Sequence, residues 1–302
     1  MTQRLRGIYS IIQTPFDGAG NLLWADMECE CDWTIRAGSH GVVWPVMASE
    51  FTVLSHRERV EGCRLIAATV AGRVPFVAGV ADTSQAGATD LALEAARAGA
   101  DALIAVPPWS TKLAGEVLVE AYYRALAEAA DLPIVVQNCD PPLGSGLSAR
   151  FVVELCRRIP LVRYLKEEKS PQGHALSEVI ALGGEEVHGV FSGASCHWII
   201  PEHARGCCGN MPACVLPDVD ARIWDLLEAG QGERARELHA AKMVLEHALA
   251  AMPTRRARKE VLVRRGVLSQ PYGRNLGPER LDEVDLAELD RAMAAVAPYL
   301  TL

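Results

Sequence analysis

Lys166 ends the run Leu161-Val-Arg-Tyr-Leu-Lys166, whose β-branched, aromatic and aliphatic residues are those of a buried strand entered from Pro160. Alternation along a strand puts Val162, Tyr164 and Lys166 on one face, so the amine is carried toward an interior. An isolated buried ammonium is costly. A lysine held there gives up its proton more readily and can attack a carbonyl carbon as an amine nucleophile. The competing reading is a strand-end lysine that snorkels to water or pairs with Glu167 or Glu168. Gln137 closes a second apolar run, Pro133-Ile-Val-Val-Gln137, and a buried amide needs a partner. Ser49 and Glu50 follow a third, Gly41-Val-Val-Trp-Pro-Val-Met47. They read either as a helix cap and solvated loop or as polar groups aimed at a site.

Other chemistries find less support. The nine cysteines contain no Cys-x-x-Cys pair, and the histidines do not supply matched ligand pairs, so no metal site is expected. The thiols read as reduced and mostly buried, with Cys139, Cys207 and Cys208 as small core residues. The net charge of −8 argues against nucleic acid or an anionic membrane surface as a partner. No apolar run reaches the roughly 18 residues of a membrane span, and the first residues lack a signal-peptide stretch. The expected location is the cytoplasm.

The elements that must position these residues repeat. Apolar strands at Gly7–Gln13, Gly41–Met47, Pro75–Val80, Ala102–Val106, Pro133–Gln137, Leu161–Lys166, Val187–Phe191 and Cys208–Met211 alternate with helical stretches. Ser55 and Glu58 form a capping box at the head of one helix. Continuous apolar strands are those of a parallel sheet covered on both faces. Eight strand-then-helix units point to an α/β fold, a (β/α)8 TIM barrel over residues 1–218. Residues 219–302 read as a C-terminal helical extension, with helices near 219–229, 232–250, 255–265 and 286–297. The basic run Arg255-Arg256-Ala-Arg258-Lys259 reads as a solvated helix face. In such a barrel the active site lies at the C-terminal ends of the strands. Lys166, Gln137 and Glu50 sit there as candidate catalytic residues. Ala48, Ser49, Trp109, Ser192, Gly193 and Met211 sit there as candidate substrate contacts, with packing as the competing role for Trp109.

At this point the chain resembles the dihydrodipicolinate synthase and N-acetylneuraminate lyase family of Schiff-base barrel enzymes. The resemblance runs over nearly the full length. It rests on Gly7-Ile-Tyr, Thr14-Pro15-Phe16, Ser49-Glu50 before Leu54-Ser55, Gly99-Ala-Asp-Ala102, Tyr164-Leu-Lys166-Glu167 and Ser192-Gly193. It implies that Lys166 forms an imine with the keto group of a 2-keto acid, that no cofactor is needed, and that the chain assembles as a homotetramer or dimer. Departures narrow the activity. Gln137 stands where the founding enzymes have a tyrosine, Pro142 where they have an arginine that holds a distal carboxylate, and Trp109 where a tyrosine crosses the dimer interface. Dihydrodipicolinate synthesis is therefore not expected. Gln137, Ser49-Glu50 and Pro107-Pro108-Trp109 are more similar to the L-2-keto-3-deoxyarabonate dehydratase branch, although Glu168 after Lys166-Glu167 departs from it. The implied function is dehydration of a 2-keto-3-deoxy sugar acid. A pyruvate-releasing retro-aldolase, an imino-acid deaminase and a non-catalytic 2-keto acid binding barrel are the rivals.

Overall fold

The computed structural model of the protein describes residues 4–108, 115–141, 146–274 and 280–302. Eight parallel strands close into a barrel in sequence order: β1 (Gly7–Ile11), β2 (Gly41–Trp44), β3 (Phe76–Gly79), β4 (Ala102–Ala105), β5 (Ile134–Cys139), β6 (Val162–Glu168), β7 (Gly189–Ser192) and β8 (Gly209–Asn210). β8 pairs back onto β1, so no edge is left open. The crossovers are α1 (Trp24–Arg36), α2 (His56–Val70), α3 (Gln85–Ala98), α4 (Gly115–Ala130), α5 (Ala149–Arg158), α6 (Gln172–Gly183) and α7 (Ile199–Ala204). α8 (Pro217–Glu228) packs on β1 and takes the eighth crossover's place. α9 (Gly232–Ala251), α10 (Thr254–Arg264) and α11 (Glu283–Val296) follow. α2 starts on the expected capping box, with Ser55 accepting from the Glu58 N–H and Glu58 accepting from the Ser55 N–H. β2 stops at Trp44, earlier than its apolar run, because Pro45 has no N–H for the ladder.

Alternation sorts the strand residues into two apolar layers. Tyr9, Val43, Val77, Ile104, Val135, Tyr164 and Phe191 fill the barrel lumen, while Ile8, Val42, Leu103, Val136 and Leu165 face the helices. β6 breaks the simple pattern. Ile134 pairs with Val162 but Val135 pairs with Tyr164, so Arg163 is an extra residue and the register slips. Val162 therefore faces the helices, and only Tyr164 and Lys166 point inward. The shared face expected for all three residues is corrected by this bulge. All nine cysteines are free, and seven are buried. No helix among the described residues is long and apolar enough to cross a membrane.

Candidate active site

The floor of the site is built where β5, β6 and β7 end. Lys166 lies opposite Gln137 on one side and Phe191 on the other. Tyr9 and Tyr164 pack against Phe191 beneath it, with ring centroids 5.1 and 6.2 Å away. Lys166 is nearly buried, and its Nζ lies 3.2 Å from Glu168 Oε2. Gln137 Nε2 donates to that same oxygen at 2.7 Å. Lys166 and Glu168 share a face because they are two residues apart on one strand. Glu167 turns the other way, accepting from Asn138 Nδ2 at 2.9 Å and from the Lys169 N–H at 2.8 Å. Burial pushes its carboxyl up to about 7. The two glutamates after the lysine thus do different work: one ties β5 to β6, the other touches the amine.

Glu168 has room because residue 193 carries no side chain. A Cβ on Gly193 would fall 2.0 Å from Glu168 Oε1. Beyond Gly193 the chain makes a left-handed turn, with φ of 47°, 52° and 60° at Ala194, Ser195 and Cys196. Each such residue costs about 1–3 kcal/mol and persists only where its surroundings hold it. Here α9 and α10 hold it. Lys242 Nζ donates to the Ser195 carbonyl at 2.6 Å and pairs with Asp220, His239 Nε2 lies 3.1 Å from the Cys196 carbonyl oxygen, and Arg258 donates to Ser195 Oγ at 2.8 Å.

Above the floor lies a cavity of about 250 Å3. Gln137, Lys166, Ala48 and Met211 line it, as do four side chains not expected as site residues from the sequence: Glu168, Gln13, Arg255 and Arg258. The signal for Glu168 was its spacing of two from the lysine. The two arginines gave none, since their approach is tertiary. The other expected residues stand elsewhere. Ser49 is buried and donates to the Ile12 carbonyl at 2.6 Å. Ser192 Oγ donates to Glu202 at 2.5 Å, and burial raises that carboxyl above the usual range. Gly193 acts through the space it leaves. Trp109 and Pro142 lie outside the described residues.

Glu50 is buried in left-handed backbone (φ 58°), 2.5 Å from Lys259 Nζ, and accepts from the Arg274 N–H at 3.2 Å. Lys259 also donates to the Thr14 and Tyr272 carbonyls at 2.7 and 2.9 Å. Burial pushes its ammonium below the usual lysine range, against the pull of Glu50. The basic run is therefore not a solvated face. Lys259 is fully buried, Arg256 stacks 4.5 Å over the Tyr272 ring, and Arg255 and Arg258 reach the cavity. One turn of α10 thus packs on Glu50 and Tyr272 while it walls the site.

A nearly buried strand-end lysine in contact with a carboxylate, at the mouth of a closed parallel barrel, fits what comparison with known proteins finds. The sequence profile of the dihydrodipicolinate synthetase family matches residues 4–288. The chain belongs to the dihydrodipicolinate synthetase family. It is an enzyme of the lyase class, a Schiff-base lyase or aldolase of that family. It is 31% identical to an L-2-keto-3-deoxyarabonate dehydratase from Azospirillum brasilense over 241 residues, which span 79% of this chain and 77% of that protein. It is 29% identical to a 4-hydroxy-tetrahydrodipicolinate synthase from Rhizobium meliloti over 293 residues, 93% of this chain and 97% of that one. The structure of a dihydrodipicolinate synthase from Rhodopseudomonas palustris superposes with a TM-score of 0.88 over 97% of this chain and 98% of that chain, at 22% identity. The last likeness shows the fold of the family.

Proposed function

We propose that the chain is a Schiff-base dehydratase acting on a 2-keto-3-deoxy sugar acid, in the manner of the L-2-keto-3-deoxyarabonate dehydratase it is similar to. The observation that carries this reading is the triangle of Lys166, Glu168 and Gln137 at one end of the cavity. Attack requires the neutral amine, and Glu168, in contact with Nζ, is placed to take the ammonium proton. Lys166 then adds to C2, the carbonyl oxygen leaves as water with the proton that Glu168 returns, and a protonated imine forms. The imine draws electrons from C3, whose proton passes to Glu168. The resulting enamine expels the C4 hydroxyl, which Glu168 can protonate with the proton it took. Across these two steps the substrate loses one water, H from C3 and OH from C4, and hydrolysis of the imine frees the lysine.

Gln137 fits the orienting half of this scheme. A tyrosine hydroxyl both gives and takes a proton, whereas a carboxamide near neutral pH only holds hydrogen bonds. Here it fixes the carboxylate that does the transfer. Ala48 and Met211 contact the substrate along the wall. Glu50, with Lys259, positions the rim instead of touching substrate, and Ser49 and Ser192 shape the backbone beneath. By likeness to the family the chain works as a homo-oligomer, a tetramer or a dimer.

Incubation with a panel of 2-keto acids and borohydride tests the reading. It should add one reduced substrate mass to the peptide that holds Lys166, and a 2-keto-3-deoxy sugar acid should turn over with loss of one water. Release of pyruvate instead would assign C3–C4 cleavage by the same lysine. Labelling at Lys169, or at no lysine with any 2-keto acid, would refute the Schiff-base role.

A further inference from the structure

The lining of the cavity ranges from buried to exposed side chains. The Lys166 side chain is 4% exposed and that of Arg258 is 21% exposed, while Arg255 is an exposed residue. Both arginines come from α10, three residues apart and so on one face of the helix, and both line the same cavity as Lys166. Their hydrogen-bonding capacity is largely unused. Arg255 has no ion-pair or hydrogen-bond partner among the described residues. Arg258 donates to the neutral Ser195 hydroxyl, and its Nε is buried with no acceptor among the described residues. Its nearest carboxylate, Glu246 at 3.8 Å, also faces His197 at 3.4 Å and Lys242 at 4.0 Å. Among the described residues, three cations and one carboxylate, Glu168, line the cavity.

We infer that Arg255 and Arg258 form a clamp for a second anionic group at the far end of the substrate. The inference rests on the Schiff-base reading of Lys166 and deepens it. With C2 at the amine, C1 and its carboxylate must stay within one bond of the buried end. A cavity of about 250 Å3 extends well past a three-carbon acid, because a water in the liquid takes roughly 30 Å3. The more exposed part of the lining carries two guanidiniums, whose planar forks match a carboxylate or a phosphate. The substrate class is therefore a 2-keto-3-deoxy sugar acid with an anion at its last carbon, either a diacid or a terminal phosphate.

Binding to 2-keto acids of matched length tests this: 2-oxopentanoate, 2-oxoglutarate and the phosphonate 2-oxo-4-phosphonobutyrate. Affinity is read by calorimetry, with borohydride trapping at Lys166 in parallel. At least one dianion should bind tenfold or more tighter than 2-oxopentanoate, and the preferred one tells carboxylate from phosphate. In Arg255→Gln, an exposed position where folding is not at issue, and in Arg258→Gln, that ratio should fall toward one. Equal affinities with normal trapping would overturn the clamp and leave the Schiff base standing. A ratio that persists in both variants would overturn it as well. So would an equal loss for the monoacid, which would put the arginines on C1. Arginine-dependent preference without any adduct would keep the clamp and remove the Schiff-base reading.

Discussion

Glu168 Oε2 stands 3.2 Å from Lys166 Nζ and accepts a hydrogen bond from Gln137 Nε2 at 2.7 Å, so one carboxylate oxygen is held between an amine and an amide. In the proposed reaction Glu168 is the proton carrier of the site. Glu168→Gln keeps the shape and removes the base. Turnover should fall by roughly 10²–10⁴-fold, the usual worth of a positioned acid–base group, while a slowly formed borohydride adduct at Lys166 persists. Unchanged turnover with full trapping would assign the proton transfers elsewhere.

Gly193→Ala should reproduce much of that loss without touching a reacting group. The added methyl would lie 2.0 Å from Glu168 Oε1 and 2.5 Å from its Cδ, so the carboxylate must move off the amine. Urea unfolding in parallel separates this displacement of Glu168 from any loss of stability. A fully active Gly193→Ala enzyme would show that the Glu168 position is not critical.

Gln137→Ala removes the donor that orients Glu168. Imine trapping at Lys166 should remain, and turnover should drop by roughly tenfold to a thousandfold, the range of one lost orienting hydrogen bond. Gln137→Glu tests the direction of that bond, since two facing carboxylates repel. It should be worse than alanine near neutral pH and recover toward acid. A variant as active as the parent at all pH values would remove Gln137 from the mechanism.

Lys259→Met should destabilise the fold by about 3–5 kcal/mol, because it leaves the Glu50 carboxylate buried and unpaired. Adding Glu50→Gln to that variant should restore part of the loss. Urea unfolding of the two single variants and the double variant measures the coupling. Simple additivity would mean the pair contributes nothing beyond its separate residues.

Glu30 predicts a pH dependence of stability. It is fully buried in α1, its Oε1 accepts from the Gln13 N–H at 2.8 Å, and its Oε2 has no partner among the described residues. Burial pushes its carboxyl up to about 8. The folded state therefore holds a proton that the unfolded chain releases near its ordinary value of 4.5. The contribution is full below 4.5, falls as pH rises through the window to about 8, and is gone above it. Its slope is at most about 1.4 kcal/mol per pH unit. Glu30→Gln keeps the acceptor and removes the titration. Urea midpoints of parent and variant between pH 5 and 8 should diverge in the variant's favour as pH rises; parallel curves would show that Glu30 is ionised in the fold.

What was legible in the sequence followed from local pattern. The eight apolar runs, the Ser55–Glu58 box and the lysine at the sixth strand end are all written in consecutive residues, and strand ends define one rim. Three features were not legible for stated reasons. The bulge at Arg163 depends on the pairing of β5 with β6, so Val162 could not be told from Tyr164 by alternation alone. Glu50 carries a polar residue's signature whether it meets substrate or a lysine 209 residues away. The basic run of α10 has the composition of a wet surface, and only its seat over the barrel mouth makes it a wall.

That seat has a consequence for the birth of the protein. The Thr14 carbonyl and Lys259 Nζ, 2.7 Å apart, are separated by 245 residues, and Glu50 waits for the amide of Arg274. A chain made from its N-terminus emerges with all eight strands before either partner exists. Until then Glu50 has no counter-ion, the Ala194–Cys196 turn has no brace from α9 or α10, and the reactive amine has no roof. The wall over Lys166 thus arrives with the last quarter of the chain, as a property of the finished molecule.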